Sequence, residues 1–174
     1  DAGLVSPEIR VVLGTLVGLG GIVASQVVLR KSYTVLANWL AGAGVAILYT
    51  AFWAAHGAYG LIGGPVAFGL MILVTVACGM LSIRNSSMVI AVLGLLGGFA
   101  TPVALSSGSD HPIGLFGYLL LLDGALLYLS FKNRWPALGA MSLLFTFLYQ
   151  AAWIDGRMGP DRIFLGMGIV VVFG

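Results

Sequence analysis

The chain has 174 residues, 60% of them hydrophobic and 8% charged, with a formal net charge of +2. A soluble domain carries about 25% charged residues, and a chain of this length cannot hide so large an apolar fraction from water. The balance excludes an ordinary soluble domain and a nucleic-acid partner, which would need a basic face; lipid is the expected surrounding.

A helix needs about 20 apolar residues to cross a hydrocarbon core of about 30 Å. Apolar runs and the polar punctuation between them predict an all-α, polytopic transmembrane helix bundle. It has six full spans and the start of a seventh, in a single transmembrane domain over 1–174. The first span, 7–29, opens with Ser6 as N-cap, Pro7 in the first turn and Glu8 at the positive helix end, and stops at Arg30 and Lys31. The second covers 34–55. The third, 65–83, begins on Pro65 and ends before Arg84 and Asn85. The fourth is 87–105, the fifth 113–131 and the sixth 136–154, the last entered through Pro136. A seventh starts at 162 and is cut at 174.

Small residues line two of these spans. Gly14, Gly18, Gly21 and Ser25 share one side of the first; Gly94, Gly97, Gly98 and Thr101 share one side of the fourth, with Pro102 kinking its last turn. In lipid, helix association rests on close packing, and small-residue stripes permit it. A glycine-lined substrate path is the alternative. The fourth span is no phosphate loop, since it lacks the preceding strand and the lysine. The start DAGLVSPEIR has no basic segment of a signal peptide. Cys78 is the sole cysteine, so no disulfide forms within the chain.

Basic residues in short loops mark the cytoplasmic side. Arg30, Lys31, Arg84, Lys132 and Arg134 follow the odd-numbered spans without an acidic neighbour, whereas Arg10, Arg157 and Arg162 on the other side are mixed with Asp1, Glu8, Asp110, Asp155 and Asp161. The expected topology puts Asp1 outside and the Arg30/Lys31, Arg84 and Lys132/Arg134 loops in the cytoplasm.

Asp123, inside LLLLDGALL, is the most costly residue to place. A carboxylate at bilayer depth costs about 2.5–3.5 kcal/mol on insertion scales, so it must face protein or water, or be protonated. At the helical rise it lies about 12 Å from the end of its span at Phe131, while Ser142 and Thr146 lie about 9 and 15 Å beyond Pro136. Ser142, Thr146 and Gln150 share one face, which Asp123 is expected to meet. A packing hydrogen bond, a proton or cation relay, and mere tolerance near a subunit interface are the open readings. In the second span, Asn38, Tyr49 and His56 point the same way on a straight helix; His56 would sit at the outer interface, hydrogen-bonded or titrating. The pair Asp110–His111 is a weak metal signal, and no metal site, cofactor or catalytic constellation is expected. The second and sixth spans share early small residues, an LYT or LFT core and an aromatic outer end, as a parallel repeat would.

The segments SPEIRVVLG, LAGAGVAILY, AFGLM, VLGLLGGFATPVALSSGSDHPIGLFGYLLLLD and FKNRWPAL resemble the bacterial membrane-protein family known as domain of unknown function 2339, over nearly the whole chain. The resemblance implies a large polytopic protein of the bacterial inner membrane, with a helix before this chain and many after it, so that the chain is a fragment. Its partners are then lipid and helices of the same longer chain or other membrane subunits. The resemblance transfers no catalytic residue. It also implies a neutral asparagine at the Asp123 position in many members, which counts against a proton relay common to the family. The function expected first is transporter- or flippase-like. The alternative is a scaffold or accessory subunit of a larger membrane or envelope complex. A membrane-embedded enzyme ranks last, because such chemistry needs several convergent ionisable groups.

Overall fold

The computed structural model describes residues 6–29, 33–105 and 112–157, and every regular element among them is helical. The helices are α1 (Pro7–Ala24), α2 (Thr34–Trp53), α3 (Gly64–Asn85), α4 (Met88–Ala104), α5 (Pro112–Asn133) and α6 (Pro136–Arg157). Pro7–Val27, Thr34–Ala58 and Gly64–Asn85 are long and apolar enough to cross a membrane; Met88–Val103 and Pro136–Ala152 are shorter apolar helices. The seventh span expected from 162, and the pair Asp110–His111, lie outside the described residues.

Local chemistry sets the boundaries. Ser6 caps α1, its hydroxyl accepting from the Ile9 N–H at 3.5 Å, and Pro7 occupies the first turn, where its missing donor costs nothing. Two helices then end differently from a straight continuation. α1 widens into a π turn over Ser25–Leu29, and α2 does the same over Ala54–Ala58. A π turn takes more residues per turn than an α-helix. The straight-helix count from Asn38 therefore does not carry through to His56, which lies inside the second π turn. Its Nδ1 is 2.9 Å from the Ile62 carbonyl oxygen, tying the helix end to the loop that follows.

The chain divides into two compact units, Asp1–Ser109 and Asp110–Gly174. In the first, α1 packs on α2, α3 pairs with α4, and α2 packs on both members of that pair. Its core is Ala41, Val45, Leu48, Val74, Cys78 and Ile90, with Ile22, Tyr49, Phe52 and Leu81 against it. α1 buries Gly18 and packs Ile22 against this core, and Ser25 of the π turn is buried beyond it. Other large side chains of α1, among them Val12, Leu16, Val17 and Val23, are exposed. The α1–α2 contact instead depends on missing side chains. A methyl group on Gly44 would stand 2.6 Å from the Gly18 carbonyl oxygen, and one on Gly18 would stand 2.9 Å from that of Gly44. Both are inside any real contact distance, so only glycine permits this approach.

The second unit is an antiparallel hairpin of α5 and α6. Leu119, Leu122, Leu126, Leu129 and Leu138 are buried in it, and so are Asp123, Ser130, Ser142, Thr146 and Gln150.

The α3–α4 and α5–α6 turns are built alike. The Ser87 N–H donates to the Ser82 carbonyl and the Ser86 N–H to that of Ile83; the Trp135 N–H donates to Ser130 and the Arg134 N–H to Phe131. This is the paired closure of a Schellman ending. Ser86 and Arg134 take the left-handed conformation that it demands, at φ 48° and 57°. One further bond recurs: Ser82 Oγ donates to the Ser87 carbonyl at 3.1 Å, and Ser130 Oγ to that of Trp135 at 2.8 Å. Each serine thus ties the last turn of one helix to the carbonyl that opens the next, a carbonyl that also accepts from the Ala91 or Leu138 N–H.

Candidate functional site

The most polar buried cluster lies between α5 and α6. Asp123 is 5% exposed, Ser142 0%, Thr146 2% and Gln150 5%. Ser142 Oγ donates to Asp123 Oδ1, and Thr146 Oγ1 donates to Oδ2 at 2.5 Å. Both carboxylate oxygens are thereby engaged by hydroxyls of the facing helix. α6 achieves this by spacing alone: Ser142 and Thr146 are one turn apart on the stripe that also carries Leu138 and Gly139, and Asp123 projects between them. Gln150, one turn beyond Thr146 on the same stripe, has a buried Nε2 without a hydrogen-bond partner among the described residues.

The shared turn gives a register in which the α3–α4 hairpin can be compared residue by residue. α3 and α5 are each 22 residues long and end on Asn85 and Asn133. Matching those ends pairs Thr75 with Asp123, Gly94 with Ser142, Gly98 with Thr146 and Pro102 with Gln150. The buried positions coincide, since Met71, Val74, Cys78 and Ile90 correspond to Leu119, Leu122, Leu126 and Leu138. Where α4 presents Gly94 to Cys78 of α3, α6 presents the Ser142 and Thr146 hydroxyls to Asp123 of α5. Gly94 sits so close to α3 that a methyl group there would meet Cys78 Cβ at 2.9 Å.

The other expected residues fall in packing contacts. Gly14, Gly18 and Gly21 all face α2, near Ala51, Leu48 and Gly44 respectively. The stripe on α4 is divided between two neighbours. Gly94 meets Cys78 of α3, whereas Gly97 lies against the Tyr49 ring of α2, which a methyl group there would overlap. Gly98 and Thr101 are buried, and Thr101 Oγ1 donates to the Gly97 carbonyl at 2.7 Å, one residue before Pro102. Asn38 is half-buried on α2. A polar contact between α2 and α3 was not foreseen from the sequence. Tyr49 Oη lies 2.7 Å from Thr75 Oγ1, and since Thr75 donates to the Met71 carbonyl at 2.9 Å, the tyrosine is the donor. A lone hydroxyl amid the apolar run LVTVACG was the available signal. Beside this contact runs an open groove of about 440 Å³ between α2 and α4, lined by Tyr49, Trp53, Leu96, Gly97 and Ala100 among others and by no charged residue. Among the described residues, no group of three or more His, Cys, Asp or Glu side chains could hold a metal ion.

Long apolar helices joined by tight polar turns, with a carboxylate enclosed between two of them, define a helical membrane protein. The chain matches, over residues 1–173, the model of the family described as predicted membrane protein DUF2339, and it belongs to that family. No curated protein and no solved structure matches it.

Proposed function

We propose that this chain is part of a transporter- or flippase-like protein of the bacterial inner membrane, with α1–α6 as six crossings and Asp123 as its ion-coupling group. The turns carrying Arg84 and Lys132 with Arg134 then face the cytoplasm, and Asp1 faces outward, in keeping with the positive-inside rule. Exposed apolar side chains such as Leu16, Leu73, Val103, Leu121 and Phe147 are the lipid-facing surface of such a bundle.

The observation that carries the reading is the polar seam of α5–α6. α3–α4 shows that the same hairpin closes with Thr75, Gly94, Gly98 and Pro102 at the matching positions, so packing alone does not call for a carboxylate. Ionisable groups at bilayer depth are costly, and those that persist mark ion and proton pathways. The glycine stripes of α1 and α4 are taken up inside the first unit, against α2 and α3. That leaves a scaffold reading without its most direct docking faces.

The test needs no known substrate. The full-length protein in liposomes is adsorbed on a solid-supported membrane, and the transient current after a jump in pH or sodium is recorded. An ion-coupled protein gives a charge displacement that Asp123→Asn abolishes while the protein stays folded. Equal currents from both forms, with Asp123→Asn folded, would return the protein to the scaffold class.

A further inference from the structure

Resting on that role for Asp123, we infer that the ion it takes is a proton rather than a metal cation, and that the proton arrives past Gln150 and Thr146. The argument starts from distance. Thr146 Oγ1 and Asp123 Oδ2 are 2.5 Å apart, which is a short O–H···O bond. A metal cation bound between two oxygens holds each at about 2.0–2.6 Å, so it would have to displace the hydroxyl proton and break this hydrogen bond. A proton already fits the gap. The Ser142 hydroxyl closes the other carboxylate oxygen in the same way.

Next comes the balance of donors and acceptors. A threonine hydroxyl has one hydrogen and two lone pairs. Thr146 spends its hydrogen on Asp123 and can still accept. Gln150, one turn further along the buried stripe and 5% exposed, holds an Nε2 donor without a partner among the described residues. Residues at i and i+4 on a helix have Cβ atoms about 5–6 Å apart, close enough for one water to bridge a donor on one side chain and an acceptor on the other. A buried unpaired donor costs about 1–3 kcal/mol, and such a water removes that cost. In the α3–α4 hairpin the matching positions are Pro102 and Gly98, which offer neither donor nor acceptor side chain.

The transfer is a relay without redox change. The bridging water, protonated from the aqueous phase, gives a proton to Thr146 Oγ1. Thr146 passes its original hydroxyl proton to Asp123 Oδ2. One Thr146 O–H bond forms as the other breaks, the carboxylate becomes a neutral carboxylic acid, and the water is left neutral. The hydrogen bonds of Asp123 go to two hydroxyls and to no charged side chain among the described residues. α6 carries Ser142, Thr146 and Gln150 along one stripe, the first two bonded to Asp123, with Tyr149 next to Gln150 and Asp155 and Arg157 beyond it in sequence. α5 itself carries Tyr118, Tyr128 and Lys132, and the Lys132 ammonium lies over the Tyr128 ring, 5.6 Å from its centre, next to the turn.

The experiment uses protons and sodium ions alone as probes, on the full-length protein in liposomes on a solid-supported membrane. A pH jump is expected to give a charge displacement that Asp123→Asn abolishes. Gln150→Met and Thr146→Val should keep its amplitude but slow it about tenfold, the rate equivalent of about 1.4 kcal/mol. Thermal unfolding of each variant in detergent establishes that it is folded. A folded Gln150→Leu serves in place of Gln150→Met if the latter unfolds. A sodium jump producing an Asp123-dependent current would overturn the proton assignment. An Asp123-dependent pH response with unchanged rates in the Gln150 and Thr146 variants would overturn the relay while leaving Asp123 as the coupling group. If neither jump depends on Asp123, the proposed function falls as well.

Discussion

The α3–α4 and α5–α6 hairpins share a turn, a helix length and a burial register, yet they fill the seam between their helices in opposite ways. In α3–α4 the seam is glycine against Cys78, and the helices meet through backbone and short side chains. In α5–α6 it is a carboxylate held by two hydroxyls. The first solution gains dispersion energy from close approach, the main source of helix association in lipid. The second exchanges some of that proximity for hydrogen bonds to an ionisable group. One backbone scaffold thus serves both a packing joint and a polar site, and the choice rests on four side chains.

This contrast can be broken most forcefully where space is least. Gly44→Ala places a methyl group 2.6 Å from the Gly18 carbonyl, a backbone atom that cannot swing aside. It should destabilise the first unit by about 1–3 kcal/mol or more, read as a fall in thermal unfolding midpoint in detergent. Asp123→Leu comes next. It strands the Ser142 and Thr146 hydroxyls in a buried seam, at about 1–3 kcal/mol, whereas Asp123→Asn keeps an acceptor and should cost less by the same measurement. A ranking with Asn as damaging as Leu would mean that the charge, and not the hydrogen bonds, holds the hairpin. Thr75→Val removes the acceptor for Tyr49 and should cost about 0.6 kcal/mol, the average for a hydrogen bond within a membrane bundle. A larger effect would give α3–α4 a polar joint of its own and narrow the difference between the hairpins. The smallest effect is a gain. Ser86→Gly relieves a left-handed residue, about 1 kcal/mol, but gives back about 0.5–1 kcal/mol through the extra backbone freedom of glycine in the unfolded chain, so the net gain is at most about 0.5 kcal/mol, and Arg134→Gly should raise the midpoint by a similar increment. Unequal responses would show that the two turns are less alike than their hydrogen bonds.

How much of this was legible in the sequence depended on the kind of order involved. The contact of Asp123 with Ser142 and Thr146 follows from depth arithmetic, because a tight antiparallel turn fixes how far down each helix a residue lies. The two helix starts at Pro7 and Pro136 were equally readable from proline's fixed geometry. The division of the α4 stripe was not. Gly94 and Gly97 look equivalent on a helical wheel, but one meets α3 and the other α2, and only the placement of three helices makes that distinction. The π turn at Ala54–Ala58 was hidden for a similar reason. No residue in AAHGA demands it, and it moves His56 off the line projected from Asn38. Nor could the unpaired Nε2 of Gln150 be foreseen, since pairing depends on what the opposite helix happens to offer at that height.

The sequence by itself determined that this chain folds as apolar helices joined by polar turns, that it belongs with membrane proteins, and that a carboxylate at Asp123 needs partners. Those properties follow from composition and from spacing along one helix, where each residue's environment is set by its near neighbours. Tertiary structure alone decided which glycine meets which helix, that Tyr49 reaches Thr75, and that two hairpins of one register differ in their seams. These depend on distances between residues far apart in the chain, fixed only when whole helices settle against each other.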